Sequence, residues 1–418
     1  MKRPLSSRIS PYSILYVIAI LLMTTAFSFA MLSNEKNLLL IVAMALSPLL
    51  LLMRRCRILM PRIDIPMLSF LLLMILSATL WHPESFRAST IIYSAGFCIF
   101  FLFTARLMRA SHLSPRQFIL LLQCIVYAYG VMLLLQQFCV LVGLPVPNYI
   151  SPYANPWKLC SLAREPSYMD TTLGIIMFMY GMIMRQQHPD RGLWYNLRHY
   201  PFLWLAYLWC LFTPVNASGF AALPLSLIPW ITRRNMPWVA GAVVALAILF
   251  AVAAPHIRSG QAGRAARMVT ALTTMDEDKI IDTDISIAER IVPAMRTARL
   301  LDIREADFWL GHGTDAEIRD TAPSPCEYPT PAYIFHVWYN YGFITELALL
   351  WLIFSICFVP RQPLTWVVTI GAIVYAAYNN STNIWLILTL MLQYRLFADP
   401  HTPLLYHERN RMLSSSQR

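Results

Sequence analysis

The chain alternates between long apolar stretches and short polar segments, a pattern typical of a membrane protein with many spans. A helix needs about 20 apolar residues to cross a hydrocarbon core roughly 30 Å thick, and somewhat shorter stretches are tolerated. The pattern predicts twelve spanning helices, with ten or eleven as alternatives because two stretches are short and interrupted by Pro214 and Pro224. The predicted spans are residues 12–32, 37–53, 65–81, 90–107, 118–143, 169–184, 200–214, 219–231, 237–254, 333–357, 364–379 and 384–397.

One long polar segment, residues 255–332, interrupts this pattern and holds 13 of the 22 acidic residues of the chain. We therefore divide the chain into residues 1–254 with nine predicted transmembrane helices, a large loop at 255–332, and residues 333–418 with three further helices and a tail. The loop is expected to be partly helical. Ser286 and Glu289 have the spacing of a helix-capping box, and an apolar stripe follows at helical spacing, which predicts a helix lying on the membrane face. Its members are Ile287, Ile291, Ala294, Ala298 and Leu301.

Composition agrees with this assignment. Apolar residues make up 57% of the chain and charged residues only 13%, which excludes a soluble globular protein. The predicted fold class is an all-α polytopic membrane protein of about 12 transmembrane helices with one large, partly helical loop outside the cell membrane.

The positions of lysine and arginine predict the orientation. Basic residues collect in cytoplasmic loops, and here they precede the first span and follow the even-numbered ones. Both termini are therefore expected in the cytoplasm, with the first helix uncleaved, and the long loop on the outer face. The net charge of +11 is a topology signal of this kind, and no nucleic-acid partner is expected. The opposite face carries only Lys36, Arg87, Lys158 and Arg164 in its short loops.

Cysteines and sequence motifs exclude several kinds of chemistry. The eight cysteines have no metal-ligand spacing, and the chain contains neither a phosphate-binding loop nor a dinucleotide fingerprint. No metal or cofactor is expected. Only Cys160 and Cys326 are predicted to lie on the outer face, where an oxidising compartment would allow them to form a disulfide.

The first candidate site is the segment LAREPSYMD, residues 162–170, at the outer end of a predicted helix. Proline suits the first helical turn, and free N–H groups there, with the helix dipole and Arg164, would bind a phosphate or diphosphate. In the alternative interpretation, Glu165 caps the helix and Arg164 anchors it at the membrane interface.

The second candidate site consists of basic residues in the long loop. Arg258, Arg264 and Arg267 follow the ninth predicted span, and Arg290 borders the apolar stripe described above. Such residues attract anionic lipid headgroups. The alternative is that each is an ordinary solvated charge.

The third candidate site lies where the long loop meets the tenth predicted span. On one continuous helix, His336, Tyr339, Asn340 and Glu346 would fall within an arc of roughly 120° and could line one cavity. A carboxyl group inside an apolar span is costly unless it faces a cavity or a partner, which marks Glu346 as a candidate functional residue. The alternative for His336 is an interfacial histidine without a catalytic role.

Taken in order, these segments resemble the bacterial superfamily of O-antigen ligases and Wzy-type polysaccharide polymerases. The family's outer-face EPS or REPS segment is matched by residues 164–167, and its S-x-x-x-R element by Ser286 and Arg290. Its G-x-G is matched by residues 311–313, and its H-N-x-Y-L…Y-G-L-I-G entry by residues 336–344. The chain departs from the pattern at Val337, where ligases often have asparagine, and in the turn at 216–219, which lacks the family's arginine.

The resemblance implies an inverting membrane glycosyltransferase in the bacterial inner membrane. Its expected activity is polymerisation of undecaprenyl-diphosphate-linked repeat units into an O-antigen or exopolysaccharide, with a chain-length regulator and a flippase as partners beside the lipid-linked donor and acceptor. Arg164 and Arg290 are then expected to bind diphosphate, with Arg258, Arg264 and Arg267 as weaker candidates. His336 is expected to activate the acceptor hydroxyl, and Glu165 is the competing base.

Two other functions remain open at this point. A ligase that joins finished glycan to the lipid A core would share nearly all of this chemistry. A transporter or flippase is the second alternative, although carriers built from two bundles tend to place their long loop in the middle of the chain and in the cytoplasm. Here the long loop comes late and is predicted outside.

The basic-residue distribution makes a direct topological prediction. Reporter fusions within residues 270–325 should report an extracytoplasmic position, and fusions at either terminus a cytoplasmic one. A cytoplasmic report from the long loop would overturn both the orientation and the site assignments that depend on it.

Overall fold

The structure is a computed structural model that describes residues 10–32, 36–150, 155–214, 218–232, 235–241, 244–245, 273, 275–283, 285–323, 335–359, 362–376 and 381–398. Within these ranges the regular elements are helices, and Met31 and Asn37 form one isolated bridge. The predicted all-α fold is thus confirmed for the described part of the chain.

The helices follow the predicted spans closely. Each predicted span other than 237–254, most of which lies outside the described residues, contains at least one helix, and 333–357 contains two. The helices are α1 (Pro11–Thr24), α2 (Leu38–Leu46), α3 (Pro61–Leu76), α4 (Ala88–Ser111), α5 (Pro115–Val142), α6 (Pro166–Gln187), α7 (Leu193–His199), α8 (Pro201–Phe212), α9 (Ser218–Leu227), α10 (Glu277–Thr283), α11 (Ile285–Leu300), α12 (Ala306–Leu310), α13 (Ala316–Asp320), α14 (Phe335–Tyr341), α15 (Phe343–Cys357), α16 (Leu364–Ala376) and α17 (Thr382–Ala398).

Three of these helices are long and apolar enough to cross a membrane: Pro61–Trp81, which is α3 with one added π-helical turn, Ala88–Ser111 and Pro115–Val142. Further apolar helices of 10–17 residues lie among the described residues. These helices are shorter than a typical spanning helix, so the count of twelve spans stays a prediction.

Proline residues and polar caps determine where several helices begin. Proline occupies the start of α1, α3, α5, α6 and α8, where its missing N–H costs no hydrogen bond. Helix α5 also has a complete capping box between Ser114 and Gln117, and it ends at Gly143 in a left-handed conformation. Local sequence alone therefore fixes both ends of this helix.

Helices α6 and α17 lie at the centre of the bundle. From Met169 to Met184 and from Asn383 to Tyr394 almost every residue is buried, as expected for helices that are covered on all sides. Helix α6 packs on α5, α8, α9 and α17. Its contact with α9 is close because a Cβ on Gly174 would lie 3.0 Å from the Cβ of Ala222. Small residues of this kind let helices approach closely in membranes.

The helical part of the long loop differs in detail from the prediction. Helix α11 begins at Ile285, so Ser286 lies inside the helix and is not its N-cap. Its buried contacts with Ile280 of α10 are made by Ala288 and Val292, and Ala298 is exposed. Ile291 of the predicted stripe packs against the same cluster, and the side chain of Ile287 lies outside the described part of the structure. The face that α10 covers therefore overlaps the predicted stripe and extends to Ala288 and Val292.

A buried ion pair joins α3 to α4. Arg106 Nη2 lies 2.9 Å from both carboxylate oxygens of Asp64, and its Nη1 donates to the carbonyl of Leu102 at 2.8 Å. Asp64 also accepts a hydrogen bond of 2.7 Å from the backbone N–H of Met60, one residue before α3. Both side chains are about nine-tenths buried, with 11% and 10% exposure, so each charge depends on the other.

Replacing Asp64 by alanine should destabilise the bundle by about 3–5 kcal/mol, because Arg106 is left as an unpaired buried charge. Thermal unfolding of the purified protein measures this effect. Asp190→Ala, the same change at an exposed position, is the control. The double variant Asp64→Leu, Arg106→Leu should recover part of the loss, and equal stability of all three variants would contradict the assignment.

Candidate functional site

Residues that follow α11 are held against the loop between α3 and α4. Ser77 Oγ donates to the carbonyl of Leu310 at 2.5 Å, and Trp81 Nε1 donates to Asp307 at 2.8 Å. Arg87 forms a salt bridge of 3.1 Å with Asp315. Two distant parts of the sequence thus form one platform for the third candidate site.

Three glycines let this platform contact the end of α14 through its backbone. Gly311, Gly313 and Gly342 have φ angles of 96°, 101° and 90°, which other residues rarely adopt. A Cβ on Gly311 would lie 2.4 Å from the carbonyl oxygen of Asn340, and one on Gly342 would lie 2.2 Å from that of Trp309. Two backbone hydrogen bonds, from His312 to Tyr339 and from Gly313 to Asn340, use this proximity.

The main feature of the site is a buried carboxylate–histidine pair. His336 Nδ1 lies 2.7 Å from Glu317 Oε2, and the side chains are 7% and 1% exposed. Asn340 holds Glu317 in place, since its Oδ1 accepts from the backbone N–H of Glu317 at 3.0 Å. Helices α13 and α14 each contribute one partner.

A second polar pair lies beside the first. Tyr339 donates its hydroxyl to Asp320 at 3.0 Å, and its ring stacks on His312 with 3.9 Å between centroids. Burial would raise the pKa of Asp320, but the hydrogen bonds from Arg319 and Tyr339 outweigh it and hold this pKa below its ordinary value. Asp320 is therefore a stable anion at the edge of the site.

The four residues predicted to line one cavity do not share one helix. Helix α14 ends at Tyr341, and Gly342 starts a new direction, so Glu346 lies on α15 and is buried there. His336, Tyr339 and Asn340 remain together on α14 and are bonded to α13. The prediction of one continuous helix was wrong because periodicity does not register the break that the φ of 90° at Gly342 introduces.

The head of α6 forms the other candidate centre. Arg164 lies over the ring of Tyr168 at 4.2 Å and 3.5 Å from the Glu165 carboxylate, with 22% and 33% of the two charged side chains exposed. Glu165 is the N-cap residue, but its side chain makes no capping hydrogen bond. The interpretation of Glu165 as a simple helix cap is therefore wrong, and Pro166 stands at the first helical position as predicted.

Gln136 holds the chain that leads into α6. Its fully buried amide accepts from the backbone N–H of Ser161 at 2.8 Å and donates to the carbonyl of Pro147 at 2.9 Å. Asn148 Nδ2 adds hydrogen bonds to the carbonyls of Ala26 and Ser161. The segment after α1 and the last two turns of α5 thus hold the chain that carries Arg164 and Glu165.

The head of α9 meets the first turn of α6. Ser218 Oγ donates to Asp170 Oδ2 at 2.6 Å, and Asp170 is fully buried. This contact brings together two segments that were predicted at the outer face and that the family resemblance had placed in sequence order only. Asn216 and Ala217, in the same turn, lie outside the described residues.

The predicted disulfide between Cys160 and Cys326 is contradicted. Cys160 is a free, buried thiol, and burial raises its pKa; Cys326 lies outside the described residues. Hydrogen bonds of Gln136 and Asn148 hold this part of the chain instead of a covalent link.

The remaining predicted cations are only partly placed. Arg290 lies on α11, but its side chain is outside the described part of the structure, as are Arg258, Arg264 and Arg267 altogether. The contacts described for Arg164 and for His336 share no residue, so the structure leaves the two centres as separate sets of contacts.

Glu317 and Asp320 were not among the predicted site residues. Their signal was nevertheless present, because the pair is spaced three residues apart, like His336 and Tyr339, so each pair occupies one face of a helix. Sequence could not show that the two faces meet.

Chemically, the site offers an oriented imidazole at the junction of the long loop and the helical bundle. A carboxylate that accepts from one ring nitrogen fixes the tautomer and leaves the other nitrogen as a base. Comparison with known proteins adds no assignment: no family model matches the chain, and no curated protein matches it.

Gly342→Ala should distort this site, since a side chain in that backbone region costs about 1–3 kcal/mol before the steric conflict with Trp309 is counted. We expect a lower unfolding temperature and weaker protection of α14 in hydrogen exchange. Gly371→Ala on α16, where a Cβ meets nothing within 4 Å, is the control. Unchanged protection of α14 in Gly342→Ala would show that the glycine contact does not hold the site.

Proposed function

We propose that this protein is a membrane glycosyltransferase that polymerises undecaprenyl-diphosphate-linked oligosaccharide repeat units at the periplasmic face of the bacterial inner membrane. The observation that carries the proposal is the buried Glu317–His336 pair at the head of the helix after the long loop. This is the position at which the family resemblance expects the acceptor-activating histidine.

The contact with Glu317 supports Nε2 of His336 as the nitrogen that serves as the base. An ionised carboxylate can only accept, so Glu317 takes the hydrogen bond from Nδ1–H, and Nε2 carries the free electron pair. After Nε2 gains a proton, the nearby carboxylate stabilises the imidazolium that results. Glu317 thereby positions the base, although it does not itself touch the substrate.

The reaction balances without a cofactor. The acceptor hydroxyl oxygen bonds to the anomeric carbon of the donor, and its proton passes to His336 Nε2. The acceptor attacks from the face opposite the diphosphate, so the configuration at the anomeric carbon is inverted. The bond between that carbon and the diphosphate oxygen breaks, and undecaprenyl diphosphate leaves with the electron pair. A good leaving group needs little acid catalysis, so fixed cations and an oriented base are sufficient.

Arg164 supplies the first of these cations. Its side chain is 22% exposed, lies over the Tyr168 ring, and is 3.5 Å from the Glu165 carboxylate, which a bound diphosphate would displace or share as a partner. Arg290 is the second, with Arg258, Arg264 and Arg267 as further candidates from the same loop. Glu165, beside Arg164, is the competing base if His336 only orients the acceptor.

The proposal includes the membrane topology that this chemistry needs. Twelve spans would place both termini in the cytoplasm and the long loop in the periplasm, where flipped lipid-linked units are found. The three helices that are long and apolar enough to span support a membrane location, and the basic-residue distribution supports the orientation.

Lipid-linked intermediates of a deletion strain test the function itself. A polymerase defect should leave single repeat units on the lipid carrier at the outer face. Long polymer that is not attached to lipid A core would instead indicate a ligase, and units retained at the inner face would indicate a flippase. Either of these results would overturn the polymerase assignment.

Variants in the deletion strain test the residue assignments, with synthesis compared at matched membrane expression. His336→Ala should lower polymer formation by about 10²–10⁴-fold, the usual contribution of a general base, while donor binding stays nearly normal. Glu317→Gln should reduce turnover without changing donor affinity, because the tautomer is no longer fixed. His199→Ala, an exposed histidine on α7, is the control.

The assignment of Arg164 as a diphosphate-binding cation is tested by a separate variant. Arg164→Lys keeps the charge but loses the planar fork that suits phosphate oxygens, so turnover and donor binding should both fall. Full activity of Arg164→Lys would show that Arg164 only anchors the helix at the membrane interface. Wild-type amounts of polymer from His336→Ala would show that His336 is not the base and would favour Glu165 in that role.

A further inference from the structure

A groove lies between the first turns of α3 and the last turns of α15, far from the candidate site. Its volume is about 450 Å³, and it is open along one side to the exterior of the bundle. Helix α3 contributes its own N-terminal end to the groove, and α15 contributes an aromatic wall. The lining residues are Pro61, Arg62, Ile65, Trp351, Phe354, Ser355 and Phe358.

Two arginines give this groove a positive end. Arg62 lines the groove and is exposed at its rim, and Arg395 of α17 lies at its edge, beside the lining residue Ser355. Arg395 Nη1 donates to the carbonyls of Ser355 and Ile356 at the end of α15. Among the described residues, neither arginine has a carboxylate within ion-pair distance, whereas the nearest acid on α3, Asp64, is paired with Arg106.

The other end of the groove continues as an apolar track. Ile65, Leu68, Leu72 and Leu76 are exposed at helical spacing along α3, and Trp351 is exposed on α15 beside them. From Ile65 to Leu76 the track is roughly 16 Å long at 1.5 Å per residue. That length is about one leaflet of a hydrocarbon core roughly 30 Å thick.

The position of the groove along α3 gives its side of the membrane. Trp81, at the other end of the extended helix, contacts Asp307 of the long loop. Arg62 and Trp81 are 19 residues apart, or roughly 28 Å, which matches the thickness of the hydrocarbon core. The groove and the long loop therefore lie at opposite faces, and the basic-residue distribution assigns the groove to the cytoplasmic leaflet.

We propose that this groove is a binding site for an anionic phospholipid of the cytoplasmic leaflet. The phosphate lies between Arg62 and Arg395, and one acyl chain follows the apolar track of α3. Two guanidinium groups without a carboxylate partner in the described part of the chain match a phosphodiester and disfavour the ammonium group of a zwitterionic headgroup. Apolar and aromatic side chains beside a basic end match an amphiphile better than a soluble anion, and basic pockets between membrane helices on this face are known to select such lipids.

Native mass spectrometry of the full-length protein in detergent tests the headgroup. Phosphatidylglycerol should remain bound where phosphatidylethanolamine is lost. Arg62→Gln should weaken phosphatidylglycerol binding by about fivefold to tenfold, since one cation near anionic lipid contributes on that scale. Arg198→Gln, which removes an exposed arginine from α7, should leave binding unchanged. Equal loss in both variants, or no preference between the two lipids, overturns the proposal.

A photo-reactive group in the acyl chain of phosphatidylglycerol tests the track. Cross-linked peptides should map to α3 and α15, and Arg62→Gln should reduce them. Adducts confined to other helices would overturn the site. Glycerol phosphate, added as a competitor without acyl chains, should fail to displace the lipid; displacement at comparable concentration would identify a soluble-anion site instead.

Discussion

The candidate site depends on the close backbone contact between the turn at Gly311–Gly313 and the break at Gly342. Only glycine permits both the positive φ angles and the approach of the two chains, and the hydrogen bonds made by His312 and Gly313 with α14 follow from that approach. Because α13 comes directly after this turn, its carboxylates are carried to the face of α14 that bears His336. The glycine contact thus places α13, which is distant from α14 in sequence, on one side of the candidate site.

Three buried polar groups in the bundle also support the candidate sites or the packing, each through a different kind of partner. In an apolar environment each donor or acceptor needs a partner, and each charge needs a counter-charge. Asp64 meets this need with the charge of Arg106, Glu317 with a hydrogen bond to the His336 ring, and Gln136 with backbone groups of the chain that enters α6. These contacts cost conformational freedom, but they orient the side chains that function requires. Positioning of Arg164 and of His336 therefore rests on the packing of apolar helices around a few satisfied polar groups.

The two ends of α3 make different contacts. Trp81, at the end of the extended α3, contacts Asp307 of the long loop, while the first turn of α3 lines a groove with α15. In the proposed topology these two ends lie at opposite faces of the membrane. A lipid bound in the groove, as proposed, would hold α3 and α15 together, and α15 follows directly from the break after α14.

Many helices of this protein can be predicted from its sequence, because long apolar stretches are a strong and local indication of membrane helices. Apolar stretches determined the helices, prolines determined several of their starts, and the spacing of REPS and of His336 marked the two centres. The break at Gly342, the burial of Ala288 and Val292 beside the predicted stripe, and the free thiol of Cys160 depended on the tertiary structure. Only the tertiary structure could pair Glu317 with His336, because periodicity assigns each residue to a face of its own helix and carries no information about which faces meet.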